Sequence, residues 1–167
     1  MMTNDTARGL LDFLLPQLEQ EFATTRNVLA AIPLENCAYK PSERCMSAIE
    51  LANHIAGSEA FFLSGVVNGA FDWKQLELKT PAEVLAYCDQ NIPALIQQVA
   101  ALPDDKLAKE ITFAIWTQPA VAYLNLHLKH SIHHRGQLSA YLRPMGAKVP
   151  SIYGPSADEP LQAAQAK

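Results

Sequence analysis

The chain has 167 residues, of which 49% are apolar and 18% are charged, so it suits one compact domain with a buried core and excludes a disordered protein. A net charge of -4 and only 13 scattered Lys and Arg residues argue against a nucleic-acid partner. The N-terminal stretch lacks the basic start and long apolar middle of a signal peptide, and no apolar run is long enough to span a membrane. We therefore expect a cytoplasmic protein whose three cysteines are reduced.

The first two helices are predicted from their apolar spacing and their start and stop signals. The first begins near residues 5–6 and ends at Pro33, and Pro16 inside it should kink the helix or delay its start. The second opens with the capping box "SAIE", Ser47–Glu50, in which the serine hydroxyl and the glutamate carboxylate each bind an unpaired backbone amide. It ends at Asn68–Gly69.

The third and fourth helices are also bounded by clear signals. The third begins at "TPAE", with Thr80 as its cap, and closes near Pro103; Pro93 should bend it. The fourth begins near Pro119 and stops before Pro144. Both have the length that is typical of helices in a bundle.

A long, partly irregular connection separates the third and fourth helices. It contains one possible extended piece around residues 111–115. Strand signals are otherwise almost absent, so the sequence predicts an all-α protein, a four-helix bundle over residues 1–160. Residues 161–167 form a polar tail that should fray.

The fourth helix concentrates histidines on one face. Residues four apart on a helix lie about 40° from each other, so His130 and His134 point the same way, and Gln137 and Tyr141 continue the stripe. A His-x-x-x-His pair is a common way to present two imidazoles to one metal ion. Gln137, Tyr141 and His127, which lies at the edge of the stripe, are candidates for supporting the ligands; buried polar residues bonded within the core are the alternative.

A third ligand must come from another helix, and His54 in the middle of the second helix is the candidate, since bundles build metal sites from facing helices. The alternative is a partly buried histidine that bonds a backbone carbonyl. Glu50 lies one turn before His54, but its capping role is the better interpretation. His133 is turned away from the stripe and should be exposed or lie at an interface.

Two segments, "MSAIELANHI" and "HSIHHRGQLSAYLRPMGAKVPSIYGPSADE", resemble the DinB/YfiT-like superfamily of bacterial metalloenzymes. The resemblance covers nearly the whole chain. It implies a four-helix bundle with one long connection and a metal triad at His54, His130 and His134, whereas His127 matches no ligand of the family. Despite the family's name, the charge of the chain still argues against DNA binding.

Three neutral imidazoles suit a borderline ion such as Zn²⁺ or Ni²⁺ and leave it at least one open position, whereas closed structural zinc sites usually have four protein ligands. An open site favours an enzyme that acts on a small molecule. The resemblance implies a metal-dependent transferase or isomerase, in some members thiol-dependent, and no motif names the substrate. A non-catalytic metal-binding or interaction module is the alternative.

The side of the fourth helix opposite the histidine stripe mixes apolar, small and arginine residues, a composition that is typical of interfaces. We expect a homodimer that pairs this side with its symmetry mate, and dimers are common in the superfamily that the chain resembles. The alternative is that the long connection after Pro103 covers the same surface. The residues on this side of the fourth helix are Leu128, Ile132, Arg135, Gly136, Ser139 and Arg143.

Overall fold

The computed structural model describes residues 1–160, and the predicted frayed tail, 161–167, lies outside the described residues. Its helices are α1 (Asn4–Ala30), α2 (Ala48–Asn68), α3 (Pro81–Ala100), the short α4 (Asp104–Ala108) and α5 (Ala122–Leu142). Strands β1 (Glu110–Phe113) and β2 (Trp116–Pro119) form an antiparallel hairpin between α4 and α5. A single 3-10 turn, Leu34–Asn36, follows α1.

The four long helices pack as a bundle around one aliphatic core. Helices α1 and α2 each pack against both α3 and α5, so α1 and α2 lie on one diagonal of the bundle and α3 and α5 on the other. The predicted fold, a four-helix bundle with a long connection between the third and fourth long helices, is confirmed. Within residues 1–160, no helix has an apolar stretch long enough to cross a bilayer.

Local signals set most helix ends where the sequence predicts them. The capping boxes at Ser47 and Thr80 are both formed, and α2 ends at Gly69, whose φ of 69° is a left-handed conformation that glycine adopts without strain. Helix α1 begins at Asn4 and is continuous through Pro16, so the alternative of a delayed start is wrong. The side chain of Thr3 caps its first turn and explains the early start.

The connection before α5 is more regular than predicted. Instead of one extended piece, it forms the β1–β2 hairpin, whose turn contains Ala114 at a φ of 53°. Helix α5 begins at Ala122 and not near Pro119, because Pro119 pairs with Glu110 in the hairpin. The Tyr123 hydroxyl lies 2.6 Å from the Trp116 carbonyl and accepts a hydrogen bond from the Phe113 amide, so it fixes the hairpin to α5.

Part of the side of α5 opposite the histidine stripe is covered by the chain itself. Arg135 is only 1% exposed and forms an ion pair with the Glu21 carboxylate. Its guanidinium also donates to the Thr25 hydroxyl on α1 and to the Tyr153 hydroxyl in the C-terminal segment. Leu128 on the same side is also buried.

The expectation that Leu128 and Arg135 form an intermolecular surface is therefore wrong. Helical periodicity gave their direction correctly, but α1 and the C-terminal segment of the same chain cover Arg135. Ile132 and Gly136 stay exposed on α5, and Arg143 forms an ion pair with Asp158. The homodimer stays a prediction.

A second buried polar group connects α2 to α5. Glu59 is 3% exposed and accepts a hydrogen bond of 2.6 Å from the Ser131 hydroxyl. Burial raises the pKa of Glu59 to about 7, and the Ser131 hydrogen bond and the charge of Arg135 only partly oppose it. His127 Nε2 lies 3.8 Å from the Glu59 carboxylate, and burial lowers the pKa of His127 to about 4. Both side chains are therefore neutral near pH 6.

We predict that Glu59→Gln makes the protein more stable than the wild type at about pH 8 but not at about pH 4.5. The carboxyl pKa is about 7 in the folded state, whereas the ordinary pKa of a glutamate carboxyl is 4.5. The folded state therefore binds more protons between these values, and stability falls as pH rises. The gain in stability should reach between about 3 and 4 kcal/mol, since one pKa unit corresponds to about 1.4 kcal/mol. Denaturant unfolding of both proteins at several pH values measures it.

The control is Glu19→Gln, which makes the same change at an exposed position of α1. It should follow the wild type at every pH. The comparison with Glu19→Gln isolates the effect of the buried carboxyl group, together with that of His127 beside it. A Glu59→Gln protein that is no more stable than the wild type at about pH 8 would contradict the prediction.

Candidate metal centre

Three histidine side chains converge between α2 and α5. His54 projects from the middle of α2, and His130 and His134 project from successive turns of α5. The Nε2 atom of His54 lies 3.2 Å from Nε2 of His130 and 3.2 Å from Nε2 of His134. One ring nitrogen of each residue lies within 4.8 Å of the other two, and all three side chains are half-buried.

The structure orients one of these rings through the two residues that continue the stripe. His134 Nδ1 lies 3.1 Å from Gln137 Oε1, and the Gln137 amide nitrogen donates to the Tyr141 hydroxyl at 3.1 Å. Because an amide oxygen can only accept, His134 Nδ1 carries the proton and its Nε2 turns a lone pair toward the cluster. Metal-binding histidines commonly have such a partner on the second ring nitrogen.

The surroundings keep the three imidazoles neutral, which is the form that binds metal. Burial is the main cause of the lowered pKa of His54, His130 and His134, and neighbouring histidines add to the effect. The shift is largest at His130, whose pKa is about 4. At neutral pH the cluster therefore carries no charge of its own.

The geometry fits a shared cation better than a hydrogen-bonded group. A neutral imidazole has a single N–H, and that of His134 is already used on Nδ1. His54 Nε2, which faces both other rings, can donate to only one of them, so at least one pair of ring nitrogens would face each other without a proton. A positive ion between the three nitrogens removes this repulsion. Within residues 1–160, no other group of three His, Cys, Asp or Glu side chains is close enough to share an ion.

The other sequence candidates lie outside this cluster. His127 is buried against Glu59 and the Phe62 ring, and its Nδ1 has no hydrogen-bond partner. His133 is exposed beside His134. Glu50 caps α2 and pairs with Lys40, which confirms the capping interpretation.

Sequence reasoning missed the aromatic surroundings of the cluster. The Trp73 ring lies 6.2 Å from the His54 ring, and the Phe62 ring lies 5.6 Å from the His130 ring. Phe113 and Trp116 of the hairpin approach the same place and share a pocket with His54. The aromatic content of the segment between the third and fourth predicted helices is a signal that could have indicated Phe113 and Trp116.

Relatives of known structure share this fold. The profile of the DinB family matches residues 2–165. The uncharacterized protein YjoA of Bacillus subtilis (strain 168) is 34% identical over 142 residues, which are 78% of this chain and 90% of YjoA. The crystal structure of YjoA, a DinB-like protein, aligns with a TM-score of 0.70 and 27% identity over 83% of this chain and 96% of that chain.

A second crystal structure, of a DinB-like protein from Bacillus cereus ATCC 10987, aligns with a TM-score of 0.74. It is 20% identical and covers 84% of this chain and 95% of that chain, a likeness that concerns the fold alone. The family profile and the YjoA sequence both span most of the chain. They confirm the resemblance that the two sequence segments indicated, and the chain belongs to the DinB family.

Proposed function

We propose that the protein binds one divalent transition-metal ion, Zn²⁺ or Ni²⁺, through His54, His130 and His134, and that the ion serves a metal-dependent reaction on a small molecule. The convergence of three ring nitrogens from two helices carries this proposal. Three imidazoles without a carboxylate or thiolate suit borderline ions, whereas Mg²⁺ and Ca²⁺ prefer oxygen ligands.

Two features support a reactive site over a purely structural one. Closed structural zinc sites usually have four protein ligands, and the described residues offer three. The three histidines are also half-exposed, and a pocket adjoins two of them, so small molecules can reach the cluster. When bound, the ion would supply Lewis acidity that favours the deprotonated form of a thiol or of water.

The chain's own residues would orient one of the ligands. Gln137 holds the His134 ring through Nδ1, and Tyr141 holds the Gln137 amide. Burial raises the pKa of the Tyr141 phenol, so this hydroxyl stays protonated and keeps its place in the chain of hydrogen bonds. Thiol-dependent group transfer is the specific reaction that the family resemblance implies.

The first prediction concerns the ligands. Replacing His54, His130 or His134 with Ala should reduce bound metal from about one ion per chain to well below half, because two imidazoles rarely hold an ion firmly. His133→Ala, which removes an exposed histidine next to the cluster, is the matched control and should keep full occupancy. Metal analysis of purified proteins is the measurement, and full occupancy in His54→Ala would contradict the triad.

The second prediction concerns the metal. Protein purified without chelators should contain Zn²⁺ or Ni²⁺ and no stoichiometric Mg²⁺ or Ca²⁺. After metal removal, titration with each ion should show binding of Zn²⁺ at least about a thousandfold tighter than binding of Mg²⁺, since neutral nitrogen ligands suit the former. A site that holds only an oxygen-preferring cation would refute the assignment.

The third prediction concerns activity. The zinc- or nickel-loaded protein should catalyse conjugation of a low-molecular-weight thiol to an aryl halide, in which a C–S bond forms and halide and a proton are released. Activity should fall at least about a hundredfold in His134→Ala, because removing a catalytic ion costs several kcal/mol of transition-state stabilisation. His133→Ala should keep it.

Two outcomes would count against this reaction. Conjugation that survives complete metal removal would show that the triad is not its site. If metal binds but a broad panel of thiols and electrophiles gives no reaction, the protein is better described as a metal-binding or interaction module. Release of halide, followed separately from thiol loss, distinguishes conjugation from simple thiol oxidation.

A further inference from the structure

A pocket of about 450 Å³ opens beside the histidine cluster and includes His54 and His130 in its wall. Its volume lies in the range of small-molecule sites, about 300–1,000 Å³. Apart from these histidines and the buried Ser58, the wall is aromatic and aliphatic. The residues are Phe61, Phe62, Trp73, Phe113, Trp116 and Leu126.

The aromatic wall is assembled from three separate parts of the chain. Phe61 belongs to α2, Trp73 to the α2–α3 connection, and Phe113 and Trp116 to the hairpin. The ring of Phe61 lies 5.5 Å from that of Trp73 and 5.3 Å from that of Phe113, distances that are typical of favourable aromatic pairs. The wall is therefore held by its own packing before any ligand binds.

The α2–α3 connection is positioned by two close approaches to α2. Phe71 lies so near Gly65 that a Cβ at that position would be 2.2 Å from the ring, so only glycine fits there. The Trp73 ring passes Gly57 at ordinary contact distance. These contacts hold Trp73 beside His54.

This aromatic surface is partly open to water. Trp73 is 44% exposed and Trp116 is 57% exposed, and they are the two tryptophans of the chain. Contiguous exposed apolar surface costs solvation free energy and is typical of a binding site. No pocket residue among those described carries a formal charge, so a charged group would enter without a counterion.

A second groove, of about 630 Å³, also includes His54 but has a different character. Its lining contains Glu50, Glu77, Lys79 and the Gln75 amide. Asn53 also lines it, but its amide already bonds the Ile49 and Leu78 backbone. Polar or charged parts of a reactant would find hydrogen-bond partners there that the aromatic pocket lacks. The two grooves therefore divide the surroundings of His54 by polarity.

We infer that the aromatic pocket binds an aryl or similarly flat apolar group of the substrate and directs the polar end of the same molecule toward the histidine cluster. The direction of the polar end rests on the proposed metal site, whereas the pocket itself is defined by the geometry of its wall. The expected substrates are small molecules in which an aromatic group is joined to an atom that can bind the metal.

The first test uses Nile red, a neutral dye whose emission rises in apolar surroundings, with metal-free protein. The wild type should bind it, and Trp116→Asp should weaken binding about tenfold, because an aromatic wall is lost and a charge is introduced. Ile115→Asp is the matched control: the same change at the neighbouring position, which is 87% exposed and does not line the pocket. It should bind dye as the wild type does.

The second test uses zinc-loaded protein and two hydroxamates that share a metal-binding group. Benzohydroxamate should bind at least about tenfold tighter than acetohydroxamate, since its ring removes apolar surface from water. In Trp116→Asp this ratio should fall to about two or less, and in Ile115→Asp it should persist. Calorimetric titration measures both affinities, and circular dichroism verifies that each variant is folded.

The outcomes separate this inference from the proposed function. Dye binding that depends on Trp116, without zinc or hydroxamate binding, would support the pocket and defeat the metal site. Zinc binding with no aryl preference and no effect of Trp116→Asp on the dye would overturn the inference and leave the metal site intact. If Trp116→Asp changes only sedimentation, the surface belongs to a second copy of the chain and the inference fails.

Discussion

Helix α5 must bury polar side chains on two different sides, and the structure around it depends on this constraint. One side carries His130 and His134, and the other carries Ser131 and Arg135. A buried polar atom without a partner costs about 1–3 kcal/mol, so each side requires partners on a facing element. His54 of α2 meets the first side, and carboxylates of α1 and α2 meet the second. Burial of α5 therefore fixes how α1 and α2 approach it.

The sequence predicted the helices well because their ends depend on local chemistry. A capping box such as that at Ser47 involves residues within one turn, and helical periodicity placed His130 and His134 on one face. Periodicity gives the relative direction of side chains but not the element that they will meet. That limit explains why Arg135 was expected at an intermolecular surface, whereas it is buried against α1. The hairpin was missed in part because its turn uses Ala114, and not Gly or Asn, at positive φ.

The residues of the site also divide into those that local spacing predicts and those that only the complete fold brings together. The pair on α5 could be predicted from spacing. His54 was only a candidate from its place in the middle of α2, and the family resemblance made it the preferred third ligand, since nothing local relates residues that are 76 positions apart. The aromatic pocket needed the complete structure, because α2, the α2–α3 connection and the hairpin each supply part of its wall. The Tyr123 hydroxyl, which joins the hairpin to α5, is the contact that brings the last part into place.

The separation of the three histidines along the chain also affects how stable the protein would be in a cell. An ion that binds all three recognises only the folded chain, because α2 and α5 bring them together. Its binding free energy then adds to the stability of the fold by mass action, about 2.7 kcal/mol when free ion exceeds the dissociation constant a hundredfold. Under the proposed metal binding, metal supply would set the fraction of chains that are exposed to proteases, and the amount of protein would follow the metal status of the cell.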